Sequence, residues 1–181
     1  STKETVAREL ERSRKHLEDS FREAERAIKE SEEHIRELLE RSRRTLKEIE
    51  DRIRDLRRRG DLDDRLLEEV KELIDRVRKR SEDIFRRAEE LLRRTRERVK
   101  RSLDRARKLN DDVERRMREI TDERLLRELI EELRRLNRKI HEDNRRLIED
   151  NKRLNEEIKR ELDKLNRELE RETEEIKKRA D

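Results

Sequence analysis

The chain has 181 residues, of which 60% are charged and 28% hydrophobic, yet 56 basic against 52 acidic residues leave a net charge of only +4. This small charge, with two phenylalanines as the only aromatic residues, argues against nucleic-acid binding, which needs a basic stripe and stacking aromatics. Cysteine is absent, which excludes disulfides and thiolate chemistry. The sequence contains no run of about 18 apolar residues and therefore predicts no membrane span. It also contains no apolar leader followed by a cleavage site and therefore predicts no targeting signal.

The first predicted helix runs from about residue 2 to about residue 59, judged by its periodicity. Apolar and small residues recur on one face, each set displaced by 18 residues from the last: Leu10, Ser13, Leu17, Ser20, Ala24, Ile28, Ser31, Ile35, Leu38, Ser42, Leu46, Ile49, Ile53 and Leu56. Since roughly 18 residues make five turns, this stripe predicts a straight helix rather than a heptad supercoil. Ser1 to Glu4 fits a capping box, and Gly60 fits the left-handed C′ position that ends a helix.

The second predicted helix covers about residues 62–119, with Asp61 as its N-cap. Its stripe follows the same spacing: Leu66, Val70, Leu73, Val77, Ser81, Ile84, Ala88, Leu91, Thr95, Val99, Ser102, Ala106, Leu109, Val113 and Met117. Proline is absent and glycine occurs once, so almost nothing interrupts a helix.

The third predicted helix covers about residues 122–180, and Thr121 or Asp122 is expected to cap it. Its stripe contains mostly leucine and isoleucine together with two asparagines: Leu126, Leu129, Leu133, Leu136, Ile140, Asn144, Leu147, Asn151, Leu154, Ile158, Leu162, Leu165, Leu169 and Ile176. Glu172 is the one break in this pattern, and the neighbouring Thr173 is expected to take its place.

Together these segments predict an all-α fold, an up-down-up bundle of three long, nearly straight helices. The connections are short, which forces neighbouring helices to run antiparallel. Because no helix is apolar all round, we expect three equivalent helices around one axis, forming a single domain over residues 1–181 and a monomer that requires no partner.

Serine, threonine and asparagine recur inside these stripes and are the candidate site residues, predicted to form a structural polar network. The candidates are Ser13, Ser20, Ser31, Ser42, Ser81, Thr95, Ser102, Asn110, Asn137, His141, Asn144, Asn151, Asn155 and Asn166. A hairpin places residues of the first two helices at one level when their numbers sum to about 122, and those of the last two when they sum to about 242. Buried amides need partners, so polar residues at shared levels are expected to bond across helices.

The level rule assigns specific neighbours to these side chains. Ser13 meets Asn110 near Asn137, Ser20 meets Ser102 near His141, Ser42 meets Ser81 with Asn166 a turn away, and Ser31 meets Asn151 with Thr95 a turn away. For the serines an alternative is a position at the wet edge of the face, with the hydroxyl bonded to its own i−4 carbonyl. For Asn144 and Asn151 burial is favoured.

The sequence predicts no enzyme, no cofactor and no metal site. It contains no glycine-rich phosphate loop and no HExxH spacing, and its carboxylates alternate with Arg and Lys at i+3 and i+4, as on a solvated helix face. His16 and His141 lie about 7 Å apart along the axis. A two-histidine metal site is conceivable there but has no apparent third ligand, so a network or edge role is favoured.

The whole chain resembles de novo designed helical bundles with buried hydrogen-bond networks. The resemblance rests on the 18-residue repeat, the near absence of glycine, proline and aromatics, the dense charged surface, and the polar residues at matched levels. Natural spectrin-like repeats are shorter, follow heptads and usually carry a core tryptophan. The resemblance implies a structural scaffold with no evolved substrate. An alternative is the larger component of a designed hetero-oligomer, in which a groove bordered by the first helix binds a partner helix. Self-association is a further alternative.

Overall fold

The computed structural model describes the backbone of residues 2–180 and is 96% helical. The three helices are α1 (Thr2–Arg59), α2 (Asp64–Glu119) and α3 (Glu123–Ala180). They pack against each other, and no strand occurs in residues 2–180. The predicted all-α fold of three long helices is therefore confirmed. Ser1, the expected first residue of a capping box, lies outside the described residues.

Helix α1 ends in a Schellman motif at Gly60. The glycine has a positive φ of 72°, which only a residue without a Cβ adopts at no cost. Its N–H donates to the carbonyl of Arg57 at 3.2 Å, and the N–H of Asp61 donates to the carbonyl of Leu56 at 3.1 Å. These two bonds satisfy carbonyls that the helix end would otherwise leave unpaired. Gly60 thus occupies the predicted C′ position.

The N-cap of α2 is Asp63, and the expectation that Asp61 caps this helix is wrong. Asp63 Oδ1 accepts a 2.7 Å hydrogen bond from the N–H of Leu66, the third residue of the helix. Because Asp61 takes part in closing α1, the chain needs two further residues before it can turn into α2. The helix accordingly begins at Asp64 rather than near residue 62.

Asp122 caps α3. Its Oδ1 accepts a 2.9 Å hydrogen bond from the N–H of Arg124, which is the second residue of the helix. Of the two caps that the sequence allows, the structure uses Asp122, while Thr121 is exposed in the connection.

Internal contacts divide the chain into two compact units. The first comprises Ser1–Glu30 and Leu92–Lys152, and the second comprises Ser31–Leu91 and Arg153–Asp181. Each unit contains a segment of all three helices and has its own buried side chains. At one end of the first unit the core cluster consists of Val6, Leu10, Val113, Leu126, Leu129, Ile130 and Leu133, with Met117 and Ile120 packed against it.

The predicted stripe on α2 is wrong at one position near its C-terminal end. Leu109 is 44% exposed, whereas the next residue, Asn110, is only 1% exposed. A step of one residue is a rotation of roughly 100°, so Asn110 takes the core position that the 18-residue template gives to Leu109. The neighbouring stripe residues Val99, Ala106 and Val113 are buried, as the template predicts.

Candidate functional site

A serine on α1 contacts asparagines on both of the other helices. Ser13 is fully buried, and its Oγ lies 2.9 Å from Oδ1 of Asn110 on α2 and 2.8 Å from Oδ1 of Asn137 on α3. All three residues belong to the first unit. One side chain therefore joins all three helices of that unit at a single level.

The number of donor protons on Ser13 determines which hydrogen bonds this layer can form. A serine hydroxyl carries one proton and accepts through two lone pairs, so Ser13 donates to one amide oxygen at a time. Within the described chain the Asn110 amide nitrogen is buried without a partner. A half-turn of that amide directs its NH2 group at Ser13 Oγ, and Ser13 then donates to Asn137 while accepting from Asn110.

A second polar layer lies in the other unit. Ser42 Oγ donates a 2.6 Å hydrogen bond to Oδ1 of Asn166, and both side chains are buried. Ser81, expected at the level of Ser42, is also buried, but its hydroxyl has no hydrogen-bond partner among the described residues. This layer thus joins α1 to α3, and Ser81 on α2 takes no part in its hydrogen bond.

The two stripe asparagines of α3 differ in their bonding, although both are buried. Asn151 donates from Nδ2 to the carbonyl of Ala27 at 3.2 Å. Asn144 makes no hydrogen bond from either amide atom within residues 2–180. Asn155 is half-buried, and its Oδ1 has no partner in the same part of the chain.

The remaining predicted network residues differ in how far they are buried. Ser20 and Ser31 are buried, and Thr95 and Ser102 are half-buried. No hydrogen bond between described residues joins Ser20 to Ser102. His141 is exposed and so lies outside the buried core. Its ring lies beside that of His16, with the centroids 5.9 Å apart and the planes inclined by 36°.

Ion pairs across the α2–α3 edges were not anticipated from the sequence, which indicated pairs within single helices. They are Arg116–Glu132 and Arg98–Asp150 in the first unit, and Arg87–Glu161, Arg80–Glu168 and Arg179–Glu69 in the second. In all five pairs the residue numbers sum to 248. A search for opposite charges at a constant sum could have found them, because antiparallel helices keep this sum along their length.

Charged hydrogen bonds shift the pKa of three of the described side chains. Glu114 accepts a 2.6 Å bond from Arg14, which lowers the pKa of Glu114 below its ordinary value and raises that of Arg14. Arg116 donates to both carboxylate oxygens of Glu132 at 2.7 and 3.3 Å, and this raises the pKa of Arg116. The hydrogen bonds stabilise the charged forms of these side chains, as expected of ion pairs between helices, and the pKa shifts are the result.

A cavity of about 460 Å³ lies between α1 and α2 in the second unit. Leu39, Leu46 and Phe85 provide its apolar lining together with Ser42 and Ser81, and seven charged residues surround them. Residues 2–180 contain no group of three or more His, Cys, Asp or Glu residues placed to hold a metal. No helix in the same range is both long and apolar enough for a membrane span.

Comparisons with protein-family models, with curated proteins and with solved structures find no match for this chain.

Proposed function

We propose that the chain is a designed structural scaffold, without an evolved substrate or an enzymatic role, in which buried polar side chains specify how the helices align. The observation that carries this proposal is the contact of Ser13 with both Asn110 and Asn137. One buried hydroxyl within hydrogen-bond distance of amides on two different helices requires all three helices to keep one level.

A wrong register of the helices costs free energy through its buried polar groups. A buried amide or hydroxyl without a partner costs about 1–3 kcal/mol, whereas a satisfied hydrogen bond contributes only about 1 kcal/mol. Apolar side chains tolerate a slide of one turn, because leucine then meets leucine again. Polar side chains penalise the same slide, as a buried asparagine does in coiled coils.

The second layer supports the same function independently. Ser42 and Asn166 are 124 residues apart, which is also the separation of Ser13 and Asn137. Parallel helices keep one offset along their length because each residue rises by the same amount, so the two serine–asparagine bonds are compatible with a single register of α1 and α3. The designed origin is inferred from the 18-residue stripe of α1 and the absence of proline.

The test replaces the first layer with apolar residues in the triple variant Ser13→Val, Asn110→Leu, Asn137→Leu. We expect a higher midpoint in denaturant unfolding, since buried polar clusters replaced by well-packed apolar groups often gain stability. We also expect additional or broadened amide NMR peaks, because the register is less well defined. Leu109→Gln, an exposed position beside Asn110, is the control and should change neither measurement. A lower midpoint with one sharp set of peaks would refute the proposed role.

A second candidate function, the binding of a partner helix, is favoured by one observation. The cavity between α1 and α2 contains the buried Ser81 hydroxyl, which no described residue pairs, and it has the apolar side chains that a helix-in-groove contact uses. Light scattering separates the two functions. A self-contained scaffold has the mass of one chain, 22.7 kDa, and a mass twice as large would favour a groove filled by a second copy.

A further inference from the structure

Two histidines on different helices face each other at the surface of the first unit. His16 on α1 and His141 on α3 are both exposed, and their ring centroids are 5.9 Å apart. The third histidine, His34, makes no ring contact with another described residue. We propose that His16 and His141 together bind one late transition-metal ion, such as Zn²⁺ or Cu²⁺, which then bridges α1 and α3.

The distance between the rings suits a shared ion. A Zn–N bond is about 2.0–2.1 Å long, so two imidazoles on one ion have ring centroids roughly 5 Å apart at a tetrahedral angle and roughly 6.5 Å apart when opposite each other. The observed 5.9 Å lies inside this range. Rotation about the side-chain bonds is enough to aim one nitrogen of each ring at a common point, since both side chains are exposed.

The chemistry of the site selects the class of ion. Imidazole is a good ligand for Zn²⁺, Cu²⁺ and Ni²⁺, whereas Mg²⁺ and Ca²⁺ prefer oxygen ligands. The residues described here contain no third His, Cys, Asp or Glu that could complete the set. Water therefore fills the other positions, which makes this an open site rather than a closed structural one.

The site depends on the helix register. His16 and His141 are 125 residues apart, within one residue of the offset that the Ser13–Asn137 bond defines. A slide of α3 by two turns moves the rings apart by roughly 10 Å, too far for one ion. A bound ion consequently stabilises this alignment of α1 with α3 and reports on it.

The experiment titrates the full chain with ZnCl₂, CuCl₂ and MgCl₂ separately, at about pH 8, because metals bind neutral imidazole. We expect Zn²⁺ and Cu²⁺ to raise the thermal unfolding midpoint in a saturable way, as any ligand of the native state does, with one ion per chain and an unchanged mass. Mg²⁺ should have no effect. His16→Ala and His141→Ala should each abolish the rise, and His34→Ala, which removes the histidine outside the pair, should leave it intact.

Three outcomes would overturn the proposal. The first is no stabilisation by either transition metal at millimolar concentration. The second is an equal loss in His34→Ala, which would indicate adventitious binding to surface histidines. The third is a doubled mass in the presence of metal, which would mean that the ion links two copies. Because both rings are exposed, the alanine variants should fold, and their circular dichroism spectra without metal check this.

Discussion

Arg14 on α1 and Glu114 on α2 are joined by a 2.6 Å hydrogen bond from Nη2 to Oε2. The same guanidinium donates to Asp111 at 3.1 Å, and Glu114 also accepts a 3.1 Å bond from Arg118. Arg14 therefore bridges two carboxylates of α2 beside the Ser13 layer. Both bonds come from Nη2, whose two N–H groups point at different carboxylates.

This contact predicts a pH-dependent stabilisation. The bond from Arg14 lowers the pKa of Glu114 below the ordinary value of 4.5. A carboxyl group whose pKa is lower in the folded state stabilises the fold above its ordinary pKa, and this contribution is lost as the pH falls through the lowered value. We expect Arg14→Gln to raise the pKa of Glu114 toward 4.5 in an NMR titration of its carboxyl carbon.

Arg118→Gln is the matched control for that titration, because Arg118 contacts the same carboxylate from the same helix. It should raise the pKa of Glu114 less than Arg14→Gln does, since Arg14 is the largest cause of the shift. A larger effect of Arg118→Gln would mean that the pair within α2, and not the bond to α1, controls this carboxylate.

The two aspartates before α2 should respond differently to alanine. Asp63→Ala removes the acceptor for the Leu66 N–H, and loss of an N-cap costs about 0.5–2 kcal/mol. Asp61→Ala leaves its backbone bond to Leu56 in place and should change the free energy of unfolding little. Urea unfolding of both variants measures the difference, and equal losses would contradict the assignment of Asp63 as the cap.

The end of α1 and the first polar layer could be predicted from the sequence. Gly60 is the only glycine, so the place of the first turn is unambiguous. A short turn then determines which residues of α1 and α2 share a level, and Ser13 does bond to Asn110. The α1–α3 offset is harder to predict because errors at two turns add. The level rule gives about 120, whereas Ser13 and Asn137 are 124 apart, a difference of about one turn.

The ion pairs between helices could not be placed by the level rule, because the rule misjudges the second turn. Asn110 and Asn137 both contact Ser13 and already sum to 247 instead of about 242, and Arg116 and Glu132 follow the same register with a sum of 248. Side chains also lean toward the N-terminus of their own helix, so in antiparallel neighbours long side chains meet partners whose numbers sum to more than the level value. Between α1 and α2 this lean is visible, since Arg14 and Glu114 sum to 128 while the shorter pair Ser13 and Asn110 sums to 123.

The exposure of Leu109 on α2 and the burial of Leu133 on α3 predict contrasting effects of their truncation. Leu133→Ala removes a side chain with no exposed surface and should lower the free energy of unfolding by about 2–5 kcal/mol. Leu109→Ala should change it by less than about 0.5 kcal/mol, because Leu109 is largely exposed although the 18-residue template makes it a core residue. Denaturant unfolding measures both. If Leu109→Ala lowered the free energy of unfolding as much as Leu133→Ala does, Leu109 would be a core residue, as the 18-residue template predicts.

Asn144 and Asn166 are both buried on α3, but only one of them bonds to another described side chain. Asn166 accepts from Ser42, whereas neither amide atom of Asn144 has a partner within the described chain. An unsatisfied buried polar group costs about 1–3 kcal/mol. We therefore expect Asn144→Leu to raise the free energy of unfolding by on the order of 1 kcal/mol, and Asn166→Leu to lower it, because the Ser42 hydroxyl then loses its acceptor.

Urea unfolding of Asn144→Leu, Asn166→Leu and the parent chain checks this ordering. Leucine is larger than asparagine, and overpacking costs about 1–3 kcal/mol, so Asn144→Val serves as the smaller control. If both Asn144 variants unfold at lower urea concentration than the parent, the Asn144 amide stabilises the fold and must have a hydrogen-bond partner. If Asn166→Leu unfolds at the same concentration as Asn144→Leu, the Ser42–Asn166 bond contributes nothing measurable, and register specification by that layer has no energetic basis.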